Sequence, residues 1–300
     1  MLAIEKLLGI EVPRRATWAR MALAELNRIH SHLVWLGTSA LELGAISLFW
    51  YCFDDRDQIL DLFEMAGGTR MHTRYVQVGG IAEDLPPAFT SEARKFCESM
   101  PKSVDEYEAI LDRNAIWLER TKGVGLLLAR TTRSRSRSPA RCCAPPASTG
   151  TSDETCRTSP TTRSSSTSPS IRTATSTTAT SVHMDEMRES VRIVRQCLDR
   201  LDEMDGEPWI ADDRKVVLPP RHELHTSMES LIHHFKIVTE GFTVPEGEVY
   251  VAIESPRGEN GCYLVSDGGA TTVAREVPRA ELRGAAGDRD DRAGRSSSPT

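Results

Sequence analysis

Residues 131–181 contain no Leu, Val, Met, Phe, Tyr or Trp and a single Ile, while Ser and Thr fill 27 of the 51 positions. Such a stretch cannot bury enough apolar surface to offset the entropy of ordering it. One continuous core through all 300 residues is therefore excluded. The flanking segments, 1–130 and 183–269, have ordinary globular composition and read as two parts of one helical core. Residues 131–182 read as a low-complexity, disordered or out-of-frame insert, and 270–300 as a tail of the same kind.

Charge follows the same division. The block at 131–181 carries seven Arg against Asp153 and Glu154, a net +5, so the remainder holds −11 of a total of −6. An acidic body argues against nucleic acid as a partner. The seven Cys form no C-x-x-C pair. Their spacing suits neither a zinc site nor a disulfide framework, and no metal is expected. A reducing, intracellular setting is the reading. The amino terminus lacks the basic start and small-residue cleavage site of a signal peptide.

The apolar period places the elements. Ile29, Leu33, Leu36, Ala40 and Leu43 share one helical face, which predicts a long helix over 17–47. From Leu33 to Phe53 the only charge is Glu42. That run reaches the length of a membrane span. The mid-span carboxylate, costing about 3 kcal/mol on insertion, and the small residues Gly37, Ser39 and Gly44 favour a helix inside a larger protein instead. A second helix is predicted from Asp54 or Asp55 to Gly67-Gly68, and a third from Thr90-Ser91 to about Trp117 with a break at Pro101. YVQVGG (75–80) reads as a short extended piece closed by a glycine turn. Met187, Val191, Val194, Leu198 and Leu201 mark a helix over 184–204. Thr226–Glu229 matches a capping box, and its helix stops at Gly241. VYVAIES (249–255) and CYLVSDG (262–268) flank a Gly-containing loop and predict a hairpin. The fold class is mainly α with a small antiparallel β part (α+β).

The polar block has two readings. RSRSRS (133–138) suits a disordered Arg/Ser arm for RNA or protein contact, which would make the chain a non-enzymatic helical interaction protein. Alternatively, the abrupt edges and the Ser/Thr/Arg/Pro/Ala bias suit GC-rich DNA read out of frame. The tail from Thr271 changes in the same way without recovery.

Five collinear segments carry a resemblance: ELNRIHSHLVWLGTSALELGA (25–45), DLFEMAGGTRMHTRYVQVGGIAEDLP (61–86), MDEMRESVRIVRQCLD (184–199), TSMESLIHHFKIVTEGF (226–242) and YVAIESPRGENGCYLVSDGG (250–269). They resemble the 49-kDa-type (D-type) subunit of the proton-pumping NADH–quinone oxidoreductase, respiratory complex I. The resemblance implies a helical-bundle core like that of the nickel–iron hydrogenase large subunit. It implies a quinone-site subunit, peripheral on the cytoplasmic face of the bacterial plasma membrane, with no transmembrane segment of its own. Its partners would be the B-, C- and I-type subunits and the membrane arm. The terminal iron–sulfur cluster, N2, would be held by the B-type partner, and NAD(H) would be used by the complex without binding this chain. Family members extend further upstream and downstream and carry an aromatic, charged stretch in place of 131–181. The expectation is a fragment with an internal compensated frameshift and a second one near Ala270. The family's upstream His and Tyr quinone contacts match nothing here. The two C-x-x-C pairs that hydrogenase nickel requires are also lacking, which disfavours that chemistry.

Quinone reduction takes two electrons and two protons, so the site needs an apolar slot and nearby acids. Glu42 stands among Ala40, Leu41, Leu43 and Ala45, where burial would favour its neutral form and fit it to relay a proton. The plainer reading is a buried Glu bonding a partner or the backbone. In the family an acidic residue here, often Asp, sits near the quinone head. Histidine as a residue type can couple protonation to a redox change; His72 follows Arg70 and Met71, and the family's R-M-H motif lies beside N2. Glu42 and His72 are thus the expected catalytic residues, with Arg70 and Met71 adjacent to the quinone and cluster. His30 and His32 diverge on their helix, cannot chelate together from one face, and read as packing and hydrogen-bonding residues. His233 and His234 read the same way. By residue type alone Phe63, Met65 and Met71 read as core rather than as a quinone box. No nucleophile–base set, phosphate loop or GxGxxG is visible.

Overall fold

The computed structural model describes residues 1–124, 127–128, 173–174, 176–269 and 274–276. The Arg/Ser block up to residue 172, with its expected disorder, and the tail after 276 lie outside the described residues. The order is α1 (Leu2–Leu8), α2 (Arg14–Glu42), α3 (Ile46–Gly67), β1 (Val76–Gln77), β2 (Gly80–Ile81), α4 (Pro87–Asp112), α5 (Ala115–Thr121), β3 (Leu127–Leu128), β4 (Thr173–Ala174), α6 (Ser176–Glu203), a 3-10 helix (Arg221–His225), α7 (Met228–Thr239), β5 (Gly247–Ser255), β6 (Gly258–Ser266) and β7 (Ala274–Glu276). The fold is α+β: a helical core with small antiparallel sheets.

The core is built around α2, which packs against α3 on one side and α6 on the other. Ile29, Leu33, Leu36 and Ala40 are fully buried, the stripe that the sequence period predicts. Met187, Val191, Val194, Leu198 and Leu201 of α6 and Phe96, Val104, Tyr107 and Leu111 of α4 close the other walls. The helix predicted over 17–47 is two helices. Gly44, at φ +98, lets the chain turn between α2 and α3, and Ala45 N–H donates to Ala40 O across the turn. The apolar run continues through the bend because both helices feed the same core, so hydropathy alone does not show it.

Two further boundaries differ from the sequence reading. α4 runs unbroken through Pro101. Proline cannot donate to the carbonyl four residues back, at Cys97; the Arg195 guanidinium of α6 donates to that oxygen instead. α6 starts at Ser176, eight residues before Met184, and Thr180 and Val182 are buried. The cap of α7 is Ser227, whose hydroxyl accepts from Ser230 N–H at 3.3 Å, rather than Thr226. β5 and β6 pair from Gly247↔Ser266 to Ser255↔Gly258, so the turn tightens to Pro256-Arg257. α1 packs on this hairpin through Ala3, Val249 and Leu264, a small second core. Among the described residues no helix is long and apolar enough to cross a membrane.

Two arginines, Arg15 buried and Arg20 partly so, lock the loops onto the helices. Arg20 of α2 pairs with Glu5 at 2.7 Å and donates to Gln77 O and Gly80 O, and Glu5 also accepts from Gly79 N–H. These bonds hold the β1–β2 hairpin. Arg15 is bidentate to Asp84 and donates to Leu201 O and Met204 O, covering the last carbonyls of α6. A cation there complements the helix dipole.

Candidate functional site

The segment between α3 and β1 forms one wall of an open groove of about 450 Å³, and α2 with the end of α3 forms the other. Gly68, at φ +72, ends α3 and reverses the chain. Gly67 lies so close to Thr73 that a Cβ would meet its side chain at 2.9 Å. Arg70 then folds back onto α3. Its guanidinium pairs with Asp57, Asp61 and Glu64, the last at 3.5 Å. Those carboxylates sit at i, i+4 and i+7, one face of the helix. His72 adopts φ +57, the left-handed region, as no other non-glycine among the described residues does. Such a conformation costs energy and persists where the surroundings impose it. Arg70, Met71 and His72 all line the groove, with Met71 and His72 exposed.

Across from them stand His30 and Phe63, and Tyr75 stands at the end of the same loop. The His30 ring meets Phe63 edge-on at 6.1 Å. Burial, with the nearby Arg56 charge, lowers the His30 pKa to about 4, so the ring is neutral at physiological pH. Its Nε2 is buried without a hydrogen-bond partner, and so is the Tyr75 hydroxyl. Burial also pushes the Tyr75 phenol up, with the Asp84 charge adding to it. The groove therefore offers an apolar lining and an exposed imidazole, with two unanswered polar atoms buried in the residues that form its walls. Sequence reasoning treats His30 as packing and does not single out Tyr75. Nothing in the local sequence of either betrays a shared groove.

Glu42 is not part of this group. It lies twelve residues beyond His30 on α2, about 18 Å of helix rise away. The burial expected for Glu42 is not found in this chain: the side chain is exposed in the last turn. Two residues past buried Ala40, it falls about 200° round the helix and faces away from the core. Exposed apolar residues close to it in sequence are Leu41, Ile46, Trp50 and Tyr51.

A third cluster joins α2 to α6. His32, buried, has Nε2 at 3.1 Å from Glu186 Oε2, and His183 Nδ1 lies 3.0 Å from the same oxygen. Burial lowers the His32 pKa against the opposing effect of Glu186. Reading His32 as a packing and hydrogen-bonding residue does not name these partners, which arrive from 151 and 154 positions downstream. The thiols of Cys52, Cys97 and Cys197 are buried and pushed up, to about 12 and about 11 for the first two. Protonated core thiols do not suit iron–sulfur ligation, which needs thiolates.

Residues 42–144 and 154–280 match the family described as respiratory-chain NADH dehydrogenase, 49 Kd subunit. The chain is 48% identical over 273 residues to a D-type subunit of the NADH-quinone oxidoreductase of Roseiflexus sp. (strain RS-1), covering 90% of this chain and 64% of that protein. It is 47% identical over 270 residues to a D-type subunit from Chloroflexus aurantiacus, covering 89% and 65%. It is 43% identical over 290 residues to the D-type subunit of Acidothermus cellulolyticus, covering 89% and 64%. This chain belongs to the 49-kDa subunit family of respiratory-chain NADH dehydrogenases, and it spans just under two thirds of the length of these relatives.

Proposed function

We propose that the chain serves as a quinone-site subunit of a proton-pumping NADH–quinone oxidoreductase. The groove between α2, α3 and the loop after α3 contributes to the quinone-reduction chamber, and Arg70, Met71 and His72 face the cluster N2 held by a B-type partner. Reduction of a quinone to the quinol consumes two electrons and two protons. The electrons come from NADH by way of the partner's cluster, and NAD(H) binds elsewhere in the complex. His72 takes part in proton exchange beside that cluster. Glu42 belongs to the proton supply, and the exposed apolar residues close to it in sequence, Leu41, Ile46, Trp50 and Tyr51, suit a surface covered by a neighbouring subunit. Burial of Glu42 would then arise in the assembly with the B-, C- and I-type subunits and the membrane arm. The complex would sit with this chain peripheral, at the cytoplasmic face of a bacterial plasma membrane.

The observation that supports this reading most is the loop from Gly68 to Thr73: three carboxylates hold Arg70 while His72 stands in a left-handed conformation at the groove. Its test is Glu42→Gln or His72→Ala, made at the matching residue of an intact homologue. Each should slow NADH–quinone activity by about a hundredfold or more, the usual range for a proton-transfer group. Reduction of artificial acceptors by NADH should be nearly unchanged. Equal loss of both activities would indicate misassembly and sink the assignment.

A further inference from the structure

The cluster of His32, His183 and Glu186 has the composition of a metal centre. Its three ligand atoms, Nε2, Nδ1 and a carboxylate oxygen, all lie within 4.8 Å of one another. His183 and Glu186 are one turn apart on α6 and share a face; His32 reaches them from α2. We propose that these residues bind a divalent transition-metal ion of the Zn(II) class, clamping α2 to α6. This revises the expectation that the chain holds no metal.

Three observations support the site. Two of the three separations approach what an ion requires: in a tetrahedral centre with bonds near 2.0–2.1 Å, neighbouring ligand atoms stand about 3.3 Å apart. Here the two His–Glu separations are 3.0 and 3.1 Å. Next, His32 Nε2 is buried yet makes no hydrogen bond, although the carboxylate is near. Finally, the surroundings carry excess negative charge. Arg28 pairs with Glu25 at 3.1 Å and Glu254 at 3.6 Å, so two carboxylates share that guanidinium. The carboxyl of Glu254 is pushed up, first by burial and further by Glu25 and Glu186, against the pull of Arg28. A dication would offset that excess. His183 keeps partial exposure, 18% of its side chain, which leaves an entry path and an open fourth position for water. Two imidazoles and one carboxylate suit Zn(II) better than the oxygen-seeking Mg(II) or Ca(II).

The test uses the full chain, stripped with a chelator and titrated with Zn(II), with metal per chain determined by mass spectrometry. Co(II) substitution adds visible ligand-field bands that report nitrogen and oxygen ligands. One equivalent is expected, with affinity weakened about tenfold or more in both His183→Ala and Glu186→Gln. His183→Ala lies at the partly exposed rim and carries the test if Glu186→Gln does not fold. Lack of binding by the unaltered chain would overturn the proposal, and the cluster would then be a proton-sharing His–carboxylate array. Equal binding by the chain and both variants would overturn it too, by assigning the metal to other histidines such as the exposed His222 and His225.

Discussion

A neutral imidazole buried against α3, like that of His30, binds fewer protons than the same residue in the unfolded chain. Its pKa falls from the ordinary 6.5 to about 4. Between those values the unfolded state takes up more protons, so stability should be complete above pH about 6.5 and fall as the pH drops toward 4. Thermal midpoints recorded across that window should show the decline, and His30→Gln should flatten it. An unchanged slope in the variant would remove His30 as the cause. His72 makes the opposite kind of prediction. Glycine accepts φ +57 without the Cβ clash, so His72→Gly should gain up to about 1 kcal/mol in denaturant unfolding even as it abolishes any proton exchange at the groove. At this scale the sequence shows residue types but not their neighbours. The R-M-H text is visible. That Asp57, Asp61 and Glu64 all turn toward Arg70 depends on how the loop folds back over α3.

Helices are legible where one face has to be apolar. The stripes of α2 and α6 follow from period alone, because a helix can bury only one side against a neighbour. Leu33→Ala, in the fully buried stripe, should cost about 3 kcal/mol in a denaturant titration. Ends and bends are less legible. The turn at Gly44 hides in an apolar run, and Pro101 reads as a breaker until Arg195 is seen to answer the orphaned carbonyl. Short contacts between elements escape the sequence altogether. Gly80 lies so close to the 209–210 backbone that a Cβ would meet Trp209 O at 2.3 Å. Gly80→Ala should therefore separate β2 from that segment and lower the thermal midpoint, and hydrogen exchange at Ile81 N–H, which donates to Trp209 O, should quicken.

For the molecule as a whole, the exposed apolar surface is the main physical fact. Trp50 is 69% and Phe235 65% exposed, and Met228, Ile232 and Val238 extend the second patch along α7. Soluble monomers rarely display such patches unless a partner covers them. The chain made alone should self-associate on size exclusion and bind an apolar dye, whereas a well-behaved monomer with no dye response would count against partner-facing patches. The proposed change of reading frame has its own test in DNA. Codons 129–183 and those after 268, read in the other frames, should restore Leu, Tyr and Phe, and stop codons there would refute it. By itself the sequence determined the class of fold, since periodic apolar stripes and a stretch without apolar residues restrict what can be buried. It also carried the text that marks the family. The tertiary structure alone decided which groups meet: His30 with Tyr75 at one groove, and His32 with His183 and Glu186 between α2 and α6. It also left Glu42 outside both, because side chains distant in sequence become neighbours only through packing, which local pattern does not encode.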